Sequence, residues 1–171
     1  MNEQQDPRRR ADQADSWTQA MALFREGYEL QVQGLWADAM ARYRESICLH
    51  PTAEAHTFLG WVYSFLKLYD EAIAECQKAI AVDPTFGNPY NDIGAYLIEL
   101  GRPEEAIAWF ERAIQAPRYD ARCYPFYNLG RVYEKRGQWV RALHYYRLAL
   151  RENPGYHLAR AALMDLQARL N

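Results

Sequence analysis

Apolar residues return at intervals of three and four along most of the chain, and the pattern is plainest between Gly87 and Ile114. There Tyr90, Ile93, Gly94 and Leu97 fall at offsets 0, 3, 4 and 7, one stripe of a helix. Gly101, Arg102 and Pro103 interrupt it. Ala106, Ile107, Phe110, Ala113 and Ile114 then form a second stripe, with Glu104 and Glu105 in a first turn where the helix dipole favours carboxylates. The pattern predicts a helical hairpin. Gly94 and Ala106 are the small residues that let its two helices approach closely.

The same pattern recurs on both sides. A first helix, capped by Asp15 or Ser16, carries Trp17, Leu23, Phe24, Gly27, Tyr28 and Leu30 to a break at Gly34. Its partner runs from Trp36 to Leu49 and ends before Pro51. Further pairs are predicted at 53–66 with 69–82, and at 124–136 with 139–151, closed by Pro84 and Pro154. After Pro154, the residues Tyr156, Leu158, Ala159, Ala162, Leu163, Leu166 and Leu170 make one more amphipathic helix. Residues 1–15 have no apolar periodicity and read as a disordered polar tail.

Equivalent small residues stand at fixed separations. Gly27, Gly60, Gly94 and Gly130 are 33, 34 and 36 residues apart, and Ala39, Ala72, Ala106 and Ala142 repeat those three intervals. A period of about 34 in helix-turn-helix units is the mark of one repeat architecture. The chain resembles a tetratricopeptide repeat (TPR) protein, a small stand-alone adaptor of bacterial type. The resemblance implies an all-α, right-handed α-solenoid of four hairpins at about 20–52, 53–86, 87–120 and 123–154. A capping helix at about 155–170 completes a single domain over 16–171, since a stacked array must cover its last apolar face.

The repeats are not identical. Lys67 replaces the turn glycine of the other units, and Pro103 stands where Trp36, Tyr69 and Trp139 sit elsewhere. The segment 116–122 is two residues longer than the period requires, which predicts an altered stacking angle or a projecting loop.

Composition narrows the function. A net charge of −2 argues against a dedicated nucleic-acid binder. No apolar run approaches the roughly 18 residues of a membrane span, and the polar N-terminus lacks a secretory apolar core, so a cytoplasmic location is expected. Cys48, Cys76 and Cys123 are far apart and odd in number. They read as buried, reduced thiols rather than a disulfide framework or a CxxC motif. His50, His56, His144 and His157 form no metal-helix pair, and no phosphate-binding glycine loop is present. No enzyme, cofactor or metal is therefore expected.

In the family that the chain resembles, ligands bind on the concave face lined by the first helix of each unit. Here the stripe beside the packing stripe on those helices is Met21, Phe24, Tyr28, Gln31 and Val32 in the first unit. The second supplies Glu54, Thr57, Trp61, Ser64 and Phe65. The third supplies Asn88, Asn91, Ala95, Ile98 and Glu99, and the fourth Tyr124, Tyr127, Arg131, Glu134 and Lys135. Phe24, Tyr28, Thr57, Trp61, Phe65, Asn88, Asn91, Tyr124, Tyr127, Arg131 and Lys135 are the candidate contacts. Aromatic anchors, backbone-pairing amides and cations in that order suit an amphipathic peptide or helix of another protein.

The carboxylate clamp of chaperone-binding relatives is missing in both registers. The corresponding places hold Phe24, Tyr28, Phe58, Asn88 and Asp92, or Thr57, Trp61, Asp92, Tyr124 and Asn128. From Arg118 onward ten basic residues face four acidic ones, a pole of +6 against −8 before it. Two alternatives to a peptide-binding adaptor follow. One is a self-assembling scaffold, a homo-oligomer joined through its charged ends; the other is a small secretion-type chaperone.

Overall fold

The computed structural model describes residues 7–170, with side chains from residue 13. Nine helices and no strand occur among them: α1 Pro7–Val32, α2 Trp36–Leu49, α3 Ala53–Phe65, α4 Tyr69–Val82, α5 Asn88–Glu99, α6 Pro103–Gln115, α7 Cys123–Lys135, α8 Trp139–Glu152 and α9 His157–Leu170. The all-α helical-repeat architecture is thus as the periodicity implies. The residues form two compact units that divide between Asp83 and Pro84. α1 to α4 make two hairpins in the first unit. α5 to α8 make two in the second, followed by α9.

Local chemistry explains where the helices stop. Gly34, Gly101 and Gly137 take φ of 77, 75 and 69°, and Lys67 takes φ of 60° at the equivalent turn. At each, two backbone N–H groups return to the helix just ended, as in Gly101 to Ile98 and Arg102 to Leu97 at 3.0 and 2.8 Å. A lysine in this left-handed conformation costs about 1–2 kcal/mol that a glycine avoids. The second helix of every hairpin ends on an extended residue followed by proline. These are His50, Asp83, Ala116 and Asn153, since proline pushes the residue before it out of the helical region. Pro117 therefore closes the third hairpin as Pro51, Pro84 and Pro154 close the others.

The small positions do what their spacing implies. Ala39, Ala72, Ala106 and Ala142 have no exposed surface. A Cβ at Gly27 would stand 2.7 Å from the Tyr43 ring, and one at Gly94 would stand 2.5 Å from the Phe110 ring. A Cβ at Gly130 would meet Tyr146 in the same way. Tyr43, Phe110 and Tyr146 are themselves at most 1% exposed. Each hairpin of this kind closes on one aromatic ring laid against one glycine. In the second hairpin Cys76 takes the ring's place.

Several expectations change. α1 starts at Pro7, so residues 7–15 are helical rather than irregular, and Asp15 and Ser16 lie inside the helix instead of capping it; residues 1–6 lie outside the described residues. Alanine, arginine and glutamine there favour extension of a helix nucleated downstream, and such an extension needs no apolar stripe. Inside it, Ser16 and Thr18 donate their hydroxyls to the carbonyls of Gln13 and Ala14. Cys48 is exposed, while Cys76 and Cys123 are buried; all three are free thiols.

The long segment after α6 does not project. Gly87 N–H donates to the Arg118 carbonyl and Arg118 N–H to that of Thr85, both at 3.0 Å. The Tyr119 ring, 3% exposed, fills the space that a side chain at position 87 would need. Arg122 donates to the carbonyls of Ile114 and Ala116 at 3.0 Å, satisfying the open end of α6. α9 packs on α8 through buried Ala159 and Leu166. Its other side is not wholly polar, since Leu158, Met164 and Leu170 are exposed.

Candidate functional site

Each unit presents a face built by the first helices of its hairpins. In the first unit this face belongs to α1 and α3, and it is aromatic. Phe58 sits at its centre, with ring centroids 5.2 Å from Phe24, 5.8 Å from Tyr28 and 6.1 Å from Trp61, all edge-on. Phe65 stacks on Trp36 of α2 at 4.3 Å and meets Trp61 edge-on at 5.4 Å. Phe58, Trp61 and Phe65 are spaced i, i+3 and i+7, so α3 carries them on one stripe. Edge-to-face rings attract beyond the area that they bury. The cluster therefore holds its outer members in fixed orientations, and Tyr28, Trp61 and Phe65 remain 47, 43 and 51% exposed.

Two residues expected on this face are not available there. Thr57 is 4% exposed and donates its hydroxyl to the Ala53 carbonyl at 2.7 Å. Gln31, also 4% exposed, accepts from the Tyr43 hydroxyl at 2.9 Å. Phe58, absent from the candidate contacts, is the residue that the exposed rings lean on. Its signal was the i, i+3, i+7 spacing of the α3 aromatics.

Within the same unit lies a buried carboxylate, that of Glu75, held by His56 and Lys78. His56 Nδ1 stands 2.7 Å from Glu75 Oε2, and Lys78 donates to the other oxygen at 2.7 Å. Burial by itself raises the Glu75 pKa, but the hydrogen bonds from His56 and Lys78 together outweigh it and hold the carboxyl below its ordinary value. A depressed carboxyl contributes stability that is present above its unfolded pKa of about 4.3 and is lost as pH falls through the folded one. Urea midpoints measured between pH 3 and 6 should therefore rise with pH in the native chain. The rise should be smaller in Glu75→Gln.

The face of the second unit belongs to α5 and α7, and it is polar. Asn91 donates to Asp92 at 3.3 Å, Asn128 donates to Asn91 at 3.4 Å, and Arg131 donates to Asn128 at 3.4 Å. These bonds are long for N–H···O contacts. They orient the amides without tying them strongly. Burial pushes the Asp92 carboxyl up to about 7, with the Asn91 bond opposing. Arg131 also lies 5.8 Å over the Tyr127 ring. Tyr124 and Tyr127 both meet Tyr156, just before α9, edge-on at 5.3 and 5.2 Å. The structure thus joins Asn91 to Arg131 through Asn128, and Tyr124 to Tyr127 through Tyr156. Neither Asn128 nor Tyr156 was among the candidate contacts: Asn128 lies off the stripe Tyr124, Tyr127, Arg131, Glu134 and Lys135, and Tyr156 precedes α9 rather than lying on the first helix of a hairpin.

The hairpins and their closing glycines define the repeat, and sequence comparison agrees. Tetratricopeptide repeat models match residues 53–86 and 87–151, together more than half of the chain. The chain belongs to the tetratricopeptide repeat family. It is 28% identical over 104 residues to "Small glutamine-rich tetratricopeptide repeat-containing protein 2" of Saccharomyces cerevisiae, matching 60% of this chain and 30% of that one. It is also 28% identical over 118 residues to "Photosystem I assembly protein Ycf3" of Prochlorococcus marinus, covering 63% of this chain and 68% of that protein. The chain therefore spans less than a third of the yeast relative's length. Among solved structures, the Pseudomonas aeruginosa pilF protein superposes with a TM-score of 0.83 at 26% identity, over 92% of this chain and 70% of that one. TPR proteins generally act by binding other proteins, and their fold is typically non-catalytic. No helix among the described residues is long and apolar enough to cross a membrane.

Proposed function

We propose that this TPR chain is a non-catalytic cytoplasmic adaptor that binds a peptide or helical segment of another protein on the faces formed by α1 with α3 and by α5 with α7. The observation that carries the reading is the aromatic face of the first unit. Tyr28, Trp61 and Phe65 keep about half of their surface open while Phe58 and Trp36 support them from beneath. Rigid, half-exposed aromatics supply large contact area with little ordering cost, which is the usual character of a binding anchor. The amides of Asn91 and Asn128 suit a peptide backbone, because their long mutual bond can be exchanged for shorter ones to a guest. The name of the Prochlorococcus relative, an assembly protein, is in keeping with a partner-binding role.

A single segment bound in this way is expected to have an affinity on the order of micromolar, about −8 kcal/mol. Trp61→Ala should weaken it by roughly 2 kcal/mol or more. The test places a photo-crosslinking amino acid at Tyr28 and compares partners captured from source cells by the native chain and by a Trp61→Ala, Phe65→Ala variant of equal helix content. A partner captured by the first and lost by the second supports the reading. Identical capture by both removes the aromatic face from it.

A further inference from the structure

At the turn end of the fourth hairpin lies a cavity of about 450 Å³ that shares Arg131 with the polar face of the second unit and extends beyond it. Ile98 and Pro103 of the third hairpin form one wall, Trp139 of α8 another, and Arg131, Lys135 and Arg169 supply its charge. The size and the mixture of apolar walls with a few polar groups are those of a site for one large side chain and its flanks.

The charge inside is unbalanced. Glu134 is the one acid in the lining, and both of its oxygens are in use. One accepts from the Tyr146 hydroxyl at 2.6 Å, and the other pairs with Arg169. Arg169 is further held by Asp165 at 3.2 Å, so it is a neutralised part of the wall. Arg131 has the 3.4 Å bond to Asn128 and the Tyr127 ring, and no acid within ion-pair distance among the described residues. Lys135 pairs with no acid among the described residues. The two cations stand four residues apart on α7, where like charges repel. An anionic guest would relieve them both.

We propose that this cavity seats an apolar residue of an acidic peptide segment. The apolar side chain lies against Ile98, Pro103 and Trp139, and the side-chain carboxylates on either side of it meet Arg131 and Lys135. Because both cations lie outside the aromatic face, the cavity confers a preference for acidic partners that the first unit does not. The inference rests on the reading of the chain as a peptide binder and adds the charge class of the peptide.

The test uses the full chain and fluorescein-labelled peptides read by anisotropy at low salt. The first probe has phenylalanine between two pairs of glutamates and an amidated end; the second has glutamines in place of the glutamates; the third is the second with a free terminal carboxylate. The first should bind at least about tenfold more tightly than either of the others. Its affinity should fall by about the same factor in Arg131→Gln, Lys135→Gln. It should stay within about twofold in Arg147→Gln, Arg151→Gln, which removes equal charge from exposed positions of α8 outside the cavity. Equal binding of all three probes, or none, overturns the proposal. So does equal loss in the two double variants, which would mean diffuse attraction. Tight binding of the third probe alone also overturns it in favour of a chain-end carboxylate. Capture at Tyr28 that depends on Trp61 and Phe65 would persist through any of these failures, leaving the adaptor reading in place.

Discussion

Tyr43→Ala is expected to destabilise the first unit by about 3–5 kcal/mol, the range for truncating a fully buried aromatic side chain. Tyr43 has no exposed surface, and its ring lies 5.7 Å from Phe24 and 6.0 Å from Phe58. The same ring fills the space that Gly27 leaves open. Removing it therefore opens a cavity beneath the aromatic face and withdraws the support of Phe58, so binding and stability should fall together. Tyr43→Phe separates the two contributions of the side chain. It keeps the ring but leaves the buried Gln31 carbonyl without its donor, at a cost of about 1–3 kcal/mol. Burial raises the Tyr43 pKa, so the hydroxyl stays a protonated donor at neutral pH. Chemical denaturation of the three proteins, followed by circular dichroism, should order them as native, Phe, Ala. A Tyr43→Ala chain as stable as the native one would mean that the first hairpin closes on something other than this ring.

Filling the closing glycines gives the second large effect, and the four hairpins provide an internal comparison. Gly94→Ala and Gly130→Ala should each cost about 1–3 kcal/mol, because the new methyl group meets the edge of a buried ring that has no room to withdraw. Gly60→Ala should be nearly neutral. Its Cβ would meet the Ala72 carbonyl oxygen at 3.0 Å and the Cys76 sulfur at 3.3 Å, tight contacts but far looser than those against rings. A helix gains about 1 kcal/mol when alanine replaces glycine, which offsets that crowding. Thermal unfolding of the three single variants should separate Gly60→Ala from the other two by several degrees, since about 1 kcal/mol moves the midpoint of a small domain by roughly 4–8 °C. If all three fall equally, the identity of the residue opposite the glycine does not matter and the account of hairpin closure is wrong.

Gly27, Gly60, Gly94 and Gly130 could be paired in advance with second-helix positions, because their intervals of 33, 34 and 36 residues recur at Ala39, Ala72, Ala106 and Ala142. The stopping points were equally local. A left-handed residue at 34, 67, 101 and 137, and an extended residue before Pro51, Pro84, Pro117 and Pro154, are properties of neighbouring residues. Helix periodicity also placed Tyr28, Trp61 and Phe65 away from the packing stripe, where they are exposed.

Other features had no local signal. The start of α1 was invisible because a solvated polar helix and a polar coil share the same composition. Thr57 and Trp61 lie on the same side of α3 by angle, yet one is buried and the other open. Helical angle states which way a side chain leaves the axis; what fills the space it enters depends on residues distant in the chain. The same reason hid the folding of Arg118 and Tyr119 onto Thr85 and Gly87, and the contact of Asn128 with Asn91.

The repeat, the hairpins and the general orientation of each stripe follow from propensity, periodicity and turn geometry within about 34 residues of chain. Packing between helices sets which polar groups are already engaged, which aromatics are supported, and that Arg131 and Lys135 share a cavity with Trp139 whose one acid, Glu134, is taken up by Tyr146 and Arg169. Those properties arise where three or four helices meet, and no single interval along the chain records them.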